Sequence, residues 1–156
     1  MDLGHWQLAD GISFSENAFG FIYEIINTIN NRRYIGKKQC QSRLKRKPLK
    51  GKKRNRIDYI DSDWRVYTGS SNELNEDIEK YGKGNFLFKI IKTCNSKWAL
   101  AYYEIKEQID RDVLLRNDYY NGIVNCRIGK IPKGELHILQ EQLKLSCDTG
   151  NQSSSV

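Results

Sequence analysis

The chain has 156 residues, a formal net charge of +7 and four cysteines. This length suits one compact domain with short extensions. The longest apolar runs, such as residues 18–23, are far too short to cross a membrane, and the first residues lack the pattern of a secretion signal. The scattered cysteines form no CxxC pair, which favours reduced thiols in the cytoplasm over a zinc site or a disulfide framework.

Positive charge is concentrated in residues 32–56. This stretch holds thirteen Lys and Arg residues and no Asp or Glu, whereas the other thirteen basic residues face all nineteen acidic ones. The rest of the chain therefore has a formal charge of −6. A concentrated patch of this kind attracts a polyanion, and nucleic acid is the usual partner. The alternative is a solvated, disordered loop whose charge serves solubility.

The first predicted element is a β-hairpin that ends at Gly36. Residues 1–18 show no sustained period and are predicted to form an N-terminal extension. Residues 19–26 are rich in aromatic and β-branched side chains, as a buried strand should be. Turn-forming asparagines within residues 27–31 then lead into a second apolar strand at residues 33–36, which completes the hairpin.

A basic insertion, residues 37–63, follows the hairpin, and Pro48 prevents a long helix through it. The next element is a helix that begins at Ser70. Glu73 follows three residues later, which is the spacing of a capping box. Gly82 is predicted to end this helix.

A strand and a longer helix come next. Residues 86–94 are predicted to form the strand, and Asn95 or Ser96 can cap a helix that runs to about Leu115. The apolar residues of this helix are predicted to form one stripe: Trp98, Ala101, Tyr102, Ile105, Ile109 and Val113.

The C-terminal part has weaker patterns. Residues 123–128 are predicted to add a short strand, residues 135–145 an amphipathic helix, and residues 148–156 a disordered tail. The order of elements predicts an α+β fold, with a small, mostly antiparallel sheet flanked by helices. The predicted organisation has three parts: an N-terminal extension (1–18), a central domain with the basic insertion (19–131), and a C-terminal helix and tail (132–156).

Two tyrosine-containing segments on the hairpin carry the most specific signal. Gly20-Phe21-Ile22-Tyr23 is followed, eleven residues after its tyrosine, by Tyr34-Ile35-Gly36, and Tyr67-Thr68-Gly69-Ser70-Ser71 precedes the first helix. With the order of elements over residues 19–129, these segments resemble the GIY-YIG nuclease family, closest to its phage Seg-type and intron-encoded homing endonucleases. Taken alone, two buried strand tyrosines are an ordinary feature of a protein core.

The resemblance implies roles for five residues. Tyr23 and Tyr34 would position or deprotonate the attacking water, and Glu104 would be the one acidic ligand of Mg²⁺ or Mn²⁺. Arg43 would neutralise charge on the phosphate, and Asn121 would help to hold the acidic ligand. Without the resemblance, Glu104 would be interpreted as an ordinary exposed acid on a helix surface.

Two of these assignments have alternatives. Arg43 is nearest to the family's spacing after the second tyrosine, but Arg46, Lys37 or Lys38 could supply the cation instead. Asn125 is the second candidate for the asparagine, and either asparagine could simply form a turn.

The predicted function is that of a metal-dependent DNA endonuclease of the phage homing type, acting in the cytoplasm of an infected host cell. The side chains expected to contact DNA are basic: Lys37, Lys38, Arg46, Lys47, Lys50, Lys52, Lys53, Arg54 and Arg56. The predicted partners are DNA and either a second copy of the chain or a separate DNA-recognition protein. Alternatives are a restriction or repair nuclease on the same fold, and a non-catalytic nucleic-acid-binding protein on a nuclease scaffold.

Overall fold

The computed structural model describes residues 1–125, 127–136 and 140. The chain divides into two compact units, Met1–Cys126 and Arg127–Val156. The regular elements within the described part of the first unit are β1 (Gln7–Leu8), β2 (Gly20–Asn27), β3 (Arg33–Gln39), β4 (Gln41–Arg46), β5 (Arg56–Asp61), α1 (Asn72–Tyr81), β6 (Phe86–Cys94) and α2 (Lys97–Asp110).

A four-stranded sheet with the strand order β1-β6-β2-β3 forms the centre of the first unit. β2 is antiparallel to both β3 and β6, and β1 is parallel to β6. β4 and β5 form a separate two-stranded sheet. This architecture confirms the predicted α+β fold, and the predicted hairpin corresponds to β2 and β3.

β2 is buried along almost its whole length because both faces of the sheet are covered. Phe21, Tyr23 and Ile25 point to one face, where they pack with Trp64 and Leu74. The buried residues on the opposite face include Ile22, Ile35, Leu100 and Val113. Alternate residues of one strand thus enter two different cores, as the two-residue period of a strand requires.

The N-terminal residues, for which the sequence predicted no regular element, contribute to the first of these cores. Trp6 is buried, and its Nε1 donates a 2.6 Å hydrogen bond to the carbonyl oxygen of Trp64. His5 stacks on Phe88 with ring centroids 4.0 Å apart. β1 then pairs with the edge of β6, so this segment adds both a strand and aromatic packing.

α1 begins one residue later than predicted. Its N-cap is Ser71, whose hydroxyl accepts a hydrogen bond from the Leu74 N–H, whereas the Ser70 hydroxyl is paired with Tyr34. The predicted end at Gly82 is confirmed. Gly82 has a φ of 86°, in the left-handed region that glycine adopts without strain.

α2 is shorter than predicted. Ser96, one of the two predicted caps, accepts a hydrogen bond from the Ala99 N–H. The helix ends at Asp110 rather than near Leu115. Its continuation is interrupted by Asp112, whose φ of 51° is incompatible with a right-handed helix.

The face of α2 that packs on the sheet differs from the predicted apolar stripe. Tyr102 and Ile109, both assigned to the stripe, are 41% and 56% exposed. Leu100 and Gln108 are buried instead, and Glu104 lies midway between them on the same face, because residues four apart are neighbours on a helix. The stripe is wrong at Tyr102 and Ile109, whereas Trp98 packs against the core and Val113, beyond the end of the helix, is buried in it. Apolar periodicity does not detect Gln108, which is polar and buried.

Two further segments differ from their predictions. The basic insertion contains the paired strands β4 and β5, which the sequence analysis did not predict. The strand predicted over residues 123–128 is wrong for its described positions, where no strand forms. The predictions for residues 135–145 and 148–156 lie almost wholly outside the described residues. Within the part of the chain that the structure describes, no helix has the length and apolar character needed to span a membrane.

The stacked imidazole of His5 makes stability depend on pH. Burial and the nearby Lys83 ammonium lower the pKa of His5 to about 4, from 6.5 for a free imidazole. In the unfolded chain His5 takes up a proton as the pH falls through 6.5, whereas the folded protein resists this, so the free energy of unfolding falls between about pH 6.5 and pH 4. In His5→Phe, urea unfolding should show a smaller loss of stability between about pH 7 and pH 5. Parallel curves for the two proteins would contradict this.

Candidate active site

A cavity of about 510 Å³ lies beside β3, a size that suits a small ligand or part of a larger one. Its lining combines hydroxyls, amides, one carboxylate and one ammonium group: Tyr34, Lys37, Ser70, Ser71, Glu104, Gln108, Tyr120, Asn121, Gly122, Ile123 and Asn125. A polar lining of this kind suits a charged, hydrated group such as a phosphate.

Tyr23 and Tyr34 lie side by side because of the register between β2 and β3. Tyr34 pairs with Ile25, and Tyr23 pairs with Gly36, so both phenols project from the same face of the sheet with ring centroids 6.1 Å apart. The Tyr23 ring covers Gly36, where an added Cβ would lie 2.5 Å from the phenolic oxygen. The glycine of the second tyrosine-containing segment, Gly36, therefore makes room for the tyrosine of the first, Tyr23.

The two phenols have different environments. Tyr23 is buried and does not line the cavity, and burial, with Tyr34 as the next contributor, raises its pKa well above the ordinary value. Tyr34 lines the cavity, and its hydroxyl lies 3.0 Å from the Ser70 Oγ. Burial also raises the pKa of Tyr34, although the hydrogen bond with Ser70 opposes the shift. Both phenols are therefore neutral near pH 7.

Glu104 projects from α2 into the cavity and binds a lysine of β3. Its Oε2 lies 2.7 Å from the Nζ of Lys37, and its side chain is 17% exposed. The inward direction follows from its place between Leu100 and Gln108 on the buried face of α2. Because a cation and a carboxylate share this wall, the cavity presents both signs of charge to a ligand.

The side-chain amides of Asn121 and Gln108 form hydrogen bonds with the backbone of Ile35 at the outer edge of β3. The Oδ1 of Asn121 accepts a 3.0 Å hydrogen bond from the Ile35 N–H, and its Nδ2 donates a 2.7 Å bond to the Ile35 carbonyl. Gln108 Nε2 donates to the same carbonyl at 3.1 Å. Asn121 thus holds the strand that carries Tyr34 rather than contacting Glu104 directly. Gln108 could not be predicted from the sequence, because a single helical glutamine gives no signal of burial.

Tyr120 forms part of the cavity wall and is held by a buried network. Its hydroxyl donates a 2.7 Å hydrogen bond to Asp77 and accepts one of 2.9 Å from the Asn27 side chain. The guanidinium of Arg32 lies 4.0 Å from its ring centroid. This network joins β2, α1 and the segment after α2, so residues from three parts of the chain fix Tyr120 in the wall.

The remaining basic residues with predicted roles lie elsewhere. Arg43 and Arg46 are on β4, which is exposed throughout, and do not line the cavity. Lys38 pairs with Asp63 at 2.5 Å and lies over the Tyr67 ring. The other predicted DNA-contacting residues are exposed on the turn between β4 and β5 or at the start of β5: Lys47, Lys50, Lys52, Lys53, Arg54 and Arg56. The structure therefore brings Tyr34, Lys37, Glu104, Asn121 and Asn125 to the cavity, with Tyr23 behind its wall.

The donors of the cavity are compatible with a hard divalent cation. Among the described residues, no group of three or more His, Cys, Asp or Glu side chains could hold a metal ion by itself. Mg²⁺ prefers oxygen ligands, keeps several waters and shares the substrate phosphate, so one carboxylate in a hydrated cavity suffices. Glu104 would supply that carboxylate. A structural zinc site would instead need several Cys or His ligands.

Comparison with known proteins identifies the same region of the chain. A family model described as "Putative endonuclease segE, GIY-YIG domain" matches residues 8–124. The curated protein "Putative endonuclease segE" of Enterobacteria phage T4 is 29% identical over 103 residues, which cover 66% of this chain and 40% of that protein. The chain thus spans less than half the length of this relative. No solved structure matches it.

The contact between Tyr23 and Gly36 can be tested by adding one methyl group. In Gly36→Ala, the new Cβ would lie 2.5 Å from the Tyr23 hydroxyl and 2.7 Å from its Cζ, so the ring or the strand must shift. We expect a loss of about 1–3 kcal/mol in the free energy of unfolding, measured by urea titration. Gly84→Ala, whose Cβ would meet nothing within 4 Å, is the control. Equal stability of the two variants would contradict the close packing of Tyr23 on Gly36.

Proposed function

Because the chain belongs to the GIY-YIG family of segE-type endonucleases, we propose that it is a metal-dependent DNA endonuclease that hydrolyses phosphodiester bonds. The observation that supports this most directly is the convergence of Tyr34, Lys37 and Glu104 on one polar cavity. A homing role during phage infection, in the host cytoplasm, is part of the proposal and is supported by the similarity to the phage protein.

We assign the binding of the scissile phosphate to Lys37. Its ammonium group lines the cavity and is balanced by Glu104 in the free protein. Lys37 would bind a phosphate oxygen and stabilise the negative charge that develops there, and Glu104 would hold the divalent cation. The sequence predicted Arg43 for this role, but Arg43 lies on β4, outside the cavity.

We assign the orientation of the attacking water to Tyr34. Its hydroxyl is paired with Ser70 at the cavity wall, and an oxygen that both donates and accepts can hold a water in line with the phosphorus. The raised pKa of Tyr34 means that the phenol acts as a neutral hydrogen-bonding group at neutral pH and not as a base. Tyr23, buried behind it, is a positioning residue that fixes the ring of Tyr34 through side-by-side packing.

Glu104 would hold the divalent cation, Mg²⁺ or Mn²⁺. When bound, such an ion supplies charge stabilisation at the phosphate and promotes deprotonation of water. The role of the chain is to fix the carboxylate. Leu100 and Gln108 direct that face of α2 towards the sheet, and Asn121 holds the facing strand.

A cavity of this size would take one scissile phosphate at a time, so it would cut one strand in each binding event. A double-strand break would need a second copy of the chain or a second binding event. A homodimer, or a separate protein that recognises the target sequence, is the partner that the proposal requires for site-specific double-strand cleavage.

A second candidate function is nucleic-acid binding without cleavage. It is favoured by the number of exposed basic residues between β4 and β5, all outside the cavity. These residues would bind DNA whether or not the cavity is catalytic. The two candidates differ at Glu104, which matters only for cleavage.

Replacement of the cavity carboxylate separates these functions. We expect purified chain to nick supercoiled plasmid with Mg²⁺ or Mn²⁺, and Glu104→Gln to lower the nicking rate by about 10²- to 10³-fold. DNA affinity, measured by fluorescence anisotropy without metal, should be retained or rise slightly, because the substitution leaves Lys37 without its acidic partner.

The matched control is Glu107→Gln on the same helix. Glu107 pairs with Arg111 and does not line the cavity, so this variant should cut at close to the wild-type rate. If wild-type protein binds DNA but never nicks it with either metal, the endonuclease proposal fails and the binding function replaces it.

A further inference from the structure

Residues 41–61 form a basic ribbon that consists of β4, β5 and the turn between them. The ribbon holds nine Lys and Arg residues and two Asp residues, so its formal charge is +7. The rest of the chain holds seventeen basic and seventeen acidic residues, so the ribbon accounts for the whole net charge of the protein. Nearly every ribbon residue is exposed; Pro48 and Asp58 are the two that are half-buried.

The cations of the ribbon are almost all unpaired. Arg46 binds Asp58, and Asp61 binds Arg65 at the base of the ribbon. Within the described part of the chain, the other eight ribbon cations have no carboxylate within ion-pair distance. Charges that serve only solubility are commonly interspersed with opposite charges. A dense, uncompensated set instead favours a polyanionic partner.

The register of the ribbon gives its two faces different chemistry. Cross-strand partners share a face, so Arg43 with Tyr59 and Lys45 with Ile57 define one surface, here called the Arg43 face. Two free cations thus alternate with two apolar side chains, and Tyr59 is 64% exposed. On the opposite face, the Arg46–Asp58 pair neutralises part of the charge.

We propose that the Arg43 face of the basic ribbon enters the major groove of duplex DNA. The major groove is about 12 Å wide and admits a two-stranded ribbon in undistorted duplex, whereas the minor groove, at about 6 Å, admits one only when the DNA is widened or strongly bent. Arg43 and Lys45 then reach hydrogen-bond acceptors on base edges, and Ile57 and Tyr59 contact thymine methyl groups. The basic residues of the turn bind the flanking phosphates.

The base of the ribbon is fixed to the sheet beside the cavity. The Cys40 N–H donates a 3.0 Å hydrogen bond to the Phe19 carbonyl, and the Ser62 N–H donates one of 3.0 Å to the Cys40 carbonyl. Arg43 follows Lys37 by six residues, a span of at most ~20 Å, or about six base pairs. One duplex can therefore meet the ribbon and the cavity together. This inference shares one assumption with the proposed function, which is that the chain binds DNA.

Two matched double variants test which face binds. One variant combines Arg43→Gln with Lys45→Gln, and the other combines Arg46→Gln with Arg56→Gln. Each removes two cations from the ribbon, the first from the Arg43 face and the second from the opposite face. In metal-free buffer, with a mixed-sequence duplex of about three helical turns, we expect the first pair to weaken binding at least about tenfold and the second only a few-fold. Melting temperatures should be unchanged, because the substituted side chains are exposed.

Groove competition provides a second readout on wild-type protein. Methyl green, which occupies the major groove, should displace the protein from the duplex, whereas netropsin, which occupies the minor groove, should not. The inference is overturned if netropsin competes and methyl green does not, if both double variants weaken binding equally, or if single-stranded DNA of the same length binds more tightly than the duplex. Because binding is measured without metal, a protein that binds in this way but never cuts would refute the endonuclease proposal alone.

Discussion

The cavity depends on how the outer edge of β3 is closed. β3 is the last strand of the four-stranded sheet, so half of its peptide groups have no neighbouring strand. At Arg33 the backbone of residues 118–120 binds this edge, and at Ile35 the amides of Asn121 and Gln108 do so. A buried peptide group left without a partner costs about 1–3 kcal/mol, so these bonds stabilise the closed edge. The bond from Gln108 joins α2 to β3 one helical turn from Glu104, and so supports the position of Glu104 opposite Lys37.

The sequence predicted the parts of the fold that have local signals. The hairpin, the end of α1 at Gly82 and strand β6 follow from residue patterns within a few positions, and the spacing of Tyr23 and Tyr34 identified the family. The buried face of α2 could not be predicted, because it includes Gln108, whose side chain binds the Ile35 carbonyl seventy-three residues away. Apolar periodicity does not detect a burial that a distant peptide group requires.

β4 and β5 were missed for a related reason. Their cross-strand pairs, such as Arg43 with Tyr59, are almost all exposed, and half of the residues in each strand are charged, so no continuous apolar face marks the two strands. Because β4 and β5 lie outside the cavity, the charged residues of the cavity and of the ribbon form two separate groups. The cavity is close to balanced, with Lys37 opposite Glu104, whereas the ribbon carries an excess of positive charge that nothing in the described residues compensates. In the proposed function, cleavage and attraction of the substrate therefore belong to different parts of one chain.

Amide hydrogen exchange at Ile35 tests the closure of β3 most directly. In native protein the Ile35 N–H should exchange far more slowly than that of Gly51 in the exposed turn, because it donates to Asn121 in a buried site. Asn121→Leu should raise the Ile35 exchange rate about tenfold to a hundredfold and leave the amides of β2 protected. If Ile35 already exchanges as fast as Gly51, or if Asn121→Leu leaves its rate unchanged, the edge is not held in this way and the cavity lacks its main support.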